Sequence, residues 1–171
     1  MYGHVIISHG LNSSPASPKA VAMAAAVERL GWTSERPDYS DIDASGDLRD
    51  VKRRLERLID RCEVAPRPLV LAGSSMGAFI SALATLDVRC AGLFLLVPPV
   101  KMDGFGRALN AAKQPTMVVH AWHDEICPVG DVIRWAQRRH DRLLLLDDSH
   151  RLERHVDLVA AELARFVEGL A

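Results

Sequence analysis

Apolar residues in this chain fall into two kinds of run. Some are short, unbroken blocks, such as Val5-Ile6-Ile7, Leu69-Val70-Leu71-Ala72, Leu93-Phe94-Leu95-Leu96-Val97, Met117-Val118-Val119 and Leu143-Leu144-Leu145-Leu146. Others recur every three or four positions between these blocks. Unbroken blocks bounded by turn residues predict buried strands, and the three-to-four spacing predicts amphipathic helices. Strands are thus expected at 3–8, 68–72, 90–97, 115–121 and 142–146. A weaker one is expected at 32–39, where Pro37 interrupts it. Helices are expected at 20–30 (closed by Gly31), at 47–61, from Ser75 to Leu86, at 107–112, at 131–140 and at 152–170. The 47–61 helix would bury Leu48, Val51, Leu55, Leu58 and Ile59, with Asp50 and Arg54 four apart on its wet side. The last helix would bury Val156, Val159, Leu163, Phe166 and Val167.

Strands and helices alternate, and the strands lack the period-two pattern of a half-exposed sheet. Both features predict an α/β fold, a three-layer sandwich with a mostly parallel six-stranded sheet covered on both faces. With 171 residues and no linker or repeat, the expectation is one domain, 1–171, with no room for a separate cap.

In an open parallel sheet, working groups collect beyond the carboxyl ends of the strands. The stretch Gly73-Ser74-Ser75-Met76-Gly77 fits there as a nucleophile elbow, a strained strand-to-helix turn that lifts a serine hydroxyl above the sheet. The plainer alternative makes Ser75 a helix cap. A serine needs a base, and the base needs a carboxylate to hold its tautomer. His150, in the polar turn Asp147-Asp148-Ser149-His150, is the preferred base. Asp124, just beyond the fifth strand, is the preferred acid; Asp103 is its rival and Glu125 a weaker one. Backbone N–H groups of Met76 and of Leu11, in His9-Gly10-Leu11, are placed to hold an oxyanion. His4 and His120 fall inside strands, His140 and His155 at helix ends, and His9 shapes the first loop. Asp147 and Asp148 read as loop charges or as a cap for the last helix.

A net charge of -1 gives no basic excess for a nucleic-acid partner, and the basic pairs Arg53-Arg54 and Arg138-Arg139 read as solvated faces. Three scattered cysteines suit a reduced compartment. Neither a metal-binding spacing nor a phosphate-binding glycine motif follows any strand. With no visible leader or membrane span, a cytoplasmic location is expected.

Taken together, His9-Gly10-Leu11-Asn12-Ser13-Ser14-Pro15 with Lys19-Ala20, the elbow, Asp124 and His150 resemble the α/β-hydrolase superfamily. The likeness is greatest to its small, lidless members of the YqiA and retinoblastoma-binding-protein-9 type. This resemblance implies the strand order 2-1-3-4-5-6 and hydrolysis of an ester or thioester through an acyl-enzyme on Ser75, without metal or organic cofactor. Its shortness between Val97 and Pro115 leaves substrate selection to loops near Asn12-Ser13-Ser14, Val100-Lys101-Met102 and Ile126, and favours small or exposed acyl groups. An alternative function is a protein-interaction module that keeps the fold with little turnover.

Overall fold

The apolar blocks pair side by side into one six-stranded sheet. The computed structural model describes residues 2–47 and 50–170. In chain order the elements are β1 (His4–Ser8), α1 (Pro18–Glu28), β2 (Thr33–Glu35), α2 (Ser40–Asp43), α3 (Val51–Val64), β3 (Leu69–Ser74) and α4 (Met76–Ala84). They continue with β4 (Gly92–Leu96), β5 (Thr116–Ala121), α5 (Val129–Arg139), β6 (Arg142–Leu146) and α6 (Val156–Glu168). The strand order is β2-β1-β3-β4-β5-β6, and every pairing is parallel. Parallel strands require crossovers; helices supply them everywhere except between β4 and β5, where the connection carries no helix.

Alternating side chains send each strand's residues to opposite faces. Ile6, Leu69, Leu71, Leu93, Leu95 and Val118 pack with α2, α3, α4 and α5. Val5, Ile7, Val70, Ala72, Phe94 and Val119 pack with α1 and α6. The four inner strands, β1, β3, β4 and β5, are buried on both faces, which explains their largely unbroken apolar sequences. This is the expected architecture, with the expected order.

Several local expectations are corrected. Residues 107–112 form no helix: Lys101 and Ala108 make an isolated antiparallel bridge. Side chains of α5 take the carbonyls a helix would have used, since Trp135 Nε1 donates to Leu109 O at 3.0 Å and Arg139 donates to Ala111 O and Ala112 O. The second strand keeps three residues and stops ahead of Pro37. The helix expected from 47 begins at Val51, and Leu48 lies outside the described residues. The last helix begins at Val156, because Leu152 takes a left-handed conformation (φ 52°) and a 3₁₀ turn, Glu153–His155, intervenes. Arg54 is not on the wet side of α3. It is 1% exposed, whereas its neighbour Arg53 faces solvent and pairs with Asp50 at 3.7 Å.

Candidate active site

Four loops beyond the carboxyl ends of β1, β3, β5 and β6 build the site. At the end of β3 the backbone turns so sharply into α4 that Ser75 takes φ 53° and ψ -118°, a conformation side chains rarely occupy. The turn is held by Ser75 N–H donating to Leu96 O at 2.9 Å and by Phe79 N–H donating to Ser75 O at 3.0 Å. The flanking glycines make it sterically possible. A Cβ on Gly77 would lie 2.0 Å from Ser8 O, and one on Gly73 would lie 2.3 Å from the backbone of Gly77. The first substitution would force α4 from the end of β1, and the second would force β3 from α4.

His150 closes on this serine from the loop after β6. Its Nε2 lies 2.9 Å from Ser75 Oγ and its Nδ1 lies 2.8 Å from Asp124 Oδ2. Asp124 has no exposed side-chain surface. Burial pushes its pKa up, but the hydrogen bond from His150 and the amides of Cys127 and Ile126 more than offset this, and the net direction is down. Those amides donate to Asp124 Oδ1 at 2.7 and 2.8 Å, leaving Oδ2 for the imidazole. An ionised carboxylate only accepts, so Nδ1 carries the proton and the Nε2 lone pair faces the serine hydroxyl.

Asp103, the rival acid, is exposed in a turn, while the carboxylate against His150 is that of Asp124. Glu125 serves the same loop differently, its Oε2 accepting from the His150 backbone N–H at 3.2 Å. Asp148 is buried, and its carboxylate accepts from Ser149 N–H, Arg154 N–H and His155 Nδ1. It therefore shapes the turn that carries His150. Asp147 stays exposed beside His123.

The loop after β1 is held from behind by Arg54, which the sequence reading missed. Arg54 Nη1 donates to His9 O at 3.0 Å, and Nη2 donates to Gly10 O at 3.1 Å. Its Nε and Nη2 meet both oxygens of Asp43 at 2.8 and 2.7 Å, and Asn12 N–H donates to Asp43 Oδ2 at 3.1 Å. The guanidinium also stacks 4.7 Å from the centre of the Tyr39 ring. His9 adds a third donor: its Nδ1 lies 2.8 Å from Gly10 O, while Tyr39 N–H donates to its Nε2 at 3.0 Å. Burial lowers the His9 pKa, favouring the neutral ring that this arrangement needs. In a trans peptide the N–H points opposite to the C=O. With the His9 and Gly10 carbonyls turned to Arg54, the N–H groups of Gly10 and Leu11 are turned away from it. The periodicity carried a signal for Arg54: it lies three residues after Val51 and four before Leu58, both buried on the inner stripe.

Two further groups were not foreseen. His120 is fully buried, with Nε2 3.0 Å from Cys127 O and 3.6 Å from Asp124 Oδ2. Burial lowers its pKa, so it stands beside Asp124 as a neutral ring. Ligand atoms of Asp124, Cys127 and His150 lie within 4.8 Å of one another, the geometry of a possible metal cluster. The Cys127 thiol is pushed up to about 12 by burial and by the nearby carboxylates of Asp124 and Glu125.

A cavity of about 510 Å³ opens in front of Ser75, lined by Leu11, Asn12, Ser13, Lys19, Ile126 and His150 among others. Of the loops expected to shape substrate choice, the first and third contribute. Val100 and Met102 instead pack against the core.

Comparisons with known proteins bear on the fold that carries this site. No curated protein matches the chain. Its fold superposes on that of a protein from Xanthomonas campestris pv. campestris described as belonging to the alpha/beta hydrolase superfamily, at 49% identity and TM-score 0.94, covering 98% of this chain and 99% of that one. A lidless α/β serine hydrolase, also from Xanthomonas campestris, shares 22% identity at TM-score 0.69 over 97% and 81% of the two chains. Est1E from Butyrivibrio proteoclasticus shares 18% identity at TM-score 0.80 over 98% and 88%. The last two likenesses are of fold alone. The model of the family described as "Uncharacterised protein family (UPF0227)" matches residues 4–147, and the chain belongs to that family, with the fold of the α/β hydrolases.

Proposed function

We propose that the protein is a serine hydrolase that cleaves carboxylic esters or thioesters of small or exposed acyl groups. The observation that carries this reading is the unbroken hydrogen-bonded chain from Asp124 through His150 to Ser75. Ser75 Oγ attacks the acyl carbon while His150 Nε2 takes its proton, and Asp124 steadies the imidazolium. The oxyanion lies between the amide of Met76, among the first of α4 and so without a partner inside the helix, and the amide of Leu11. His150 then protonates the leaving alkoxide or thiolate, and water attacks the acyl-enzyme by the same route in reverse. The scheme uses these groups and water alone.

A fluorophosphonate probe is expected to label the wild type and not Ser75→Ala; labelling that survived would exclude Ser75 as nucleophile. Hydrolysis of p-nitrophenyl butyrate should fall by about 10⁴-fold in Asp124→Asn, which misdirects the imidazole proton. It should hold in Asp103→Asn. The reverse outcome would hand the acid's role to Asp103.

A further inference from the structure

The cavity in front of Ser75 has one feature that ester hydrolysis does not require. Its wall includes a lysine. Lys19, in the first turn of α1, lines the cavity with Leu11, Met23, Ile126 and Val156. Its ammonium donates to the backbone carbonyl of Arg151, the residue after His150, and among the described residues that is its one hydrogen-bond partner. No carboxylate of the described residues lies within ion-pairing distance of it. An ammonium has three donors, so two are left for whatever fills the cavity. Burial lowers its pKa, the direction expected of a cation taken from water, and the more distant carboxylates of Glu153, Asp148 and Asp124 act against that.

The charges around Lys19 do not cancel it. Glu153 also lines the cavity, but its Oε1 lies 3.4 Å from Arg151 Nη1, and both side chains are largely in solvent at the rim. Asp124 and Asp148 are engaged by His150 and His155. The head of α1 adds potential of the same sign as Lys19, since Ser17 makes no side-chain cap and no acidic residue stands in the first turn. A partly desolvated cation with unused donors, in a largely apolar recess, is completed by an anion.

We propose that Lys19 selects ester substrates bearing an anionic group, such as a carboxylate, remote from the scissile bond. This rests on the hydrolase reading and names the substrate class of the same site. Lys19 meets the chain one residue beyond the base, so the anion stands several bonds from the reacting carbonyl. The ammonium binds the anionic end while the carbonyl lies at Ser75.

The test is a matched pair of esters, mono-p-nitrophenyl adipate and its methyl-capped diester, which differ in charge but little in length. A second pair puts the charge on the leaving group: 4-carboxyphenyl butyrate against its methyl ester. In one pair the wild type is expected to prefer the anion by roughly tenfold in kcat/KM. That preference should collapse in Lys19→Met, survive in Lys19→Arg and rise in Glu153→Gln. Because each preference is a ratio within one variant, a general loss from disturbing the Arg151 contact cancels out. Equal rates for charged and neutral esters in both pairs, or a preference that persists in Lys19→Met, would overturn the inference while leaving the hydrolase reading intact. Absence of turnover on every ester, together with no fluorophosphonate labelling of Ser75, would overturn both.

Discussion

Two cations stand behind and beside the Ser75 cavity, and the fold treats them in opposite ways. Arg54 is enclosed, meets both oxygens of Asp43, donates to two carbonyls and lies over the Tyr39 ring. Lys19 is half-buried, meets one carbonyl and faces the cavity. A buried cation with all three nitrogens engaged, through four hydrogen bonds, is part of the framework: it fixes what it touches. A cation with idle donors on a cavity wall is open to one. The residue types suit the tasks. A guanidinium's planar fork can hold a carboxylate and two carbonyls at once, whereas an ammonium is a mobile point charge.

The sharpest way to break this contrast is to remove Arg54. Arg54→Met leaves the buried Asp43 carboxylate without its cation, and the cost expected in chemical denaturation is about 3–5 kcal/mol. The loop carbonyls also lose their donors, so kcat for p-nitrophenyl butyrate should fall by about 10²-fold in the protein that remains folded, with KM little changed. Unaltered kcat would mean that Arg54 only holds the fold together. Arg54→Met combined with Asp43→Leu separates the two effects. Removing both charges should restore most of the stability, while kcat stays low because the His9 and Gly10 carbonyls remain unheld.

Acid provides a gentler perturbation. Burial holds the pKa values of His4, His9 and His120 below the ordinary 6.5. The unfolded chain therefore takes up protons first as pH falls, and stability drops below pH 6.5 until the folded rings also protonate. Melting temperature should be highest between about pH 7 and 8, declining below 6.5 through these rings and again above about 8.5, where the cysteine thiols raised by burial ionise first in the unfolded chain. His120→Asn should make the acid-side decline shallower; an unchanged slope would remove His120 from the effect. The smallest stability change is expected on the Lys19 side: Lys19→Met should move unfolding free energy by about 1 kcal/mol or less. A loss as large as that of Arg54→Met would erase the contrast and make Lys19 framework too.

Much of the fold was legible because a two-sided parallel sheet leaves a strong mark: strands buried on both faces must be apolar at every position. The errors fell where local pattern and tertiary demand diverge. The stretch 107–112 has helix-forming residues, yet Trp135 and Arg139 claim its carbonyls. Arg54 looked solvated because arginine is rarely buried, although its position in the α3 repeat placed it inward. Its partner Asp43, eleven residues away on α2, was needed to make that burial tolerable. At the site, strand ends and residue types pointed to Ser75, Asp124 and His150. The choice between Asp124 and Asp103 needed a distance.

By itself, then, the sequence determined the layer architecture and the kinds of group that would gather at the strand ends, because both follow from local periodicity and chain order. Tertiary structure alone decided which atoms meet. Ser75 and His150 are 75 residues apart, and Lys19 and Arg151 are 132 apart. No local preference encodes those separations; they depend on how α1 and the loop after β6 come together over one end of the sheet. The same packing encloses Arg54 with Asp43 and leaves Lys19 facing the cavity.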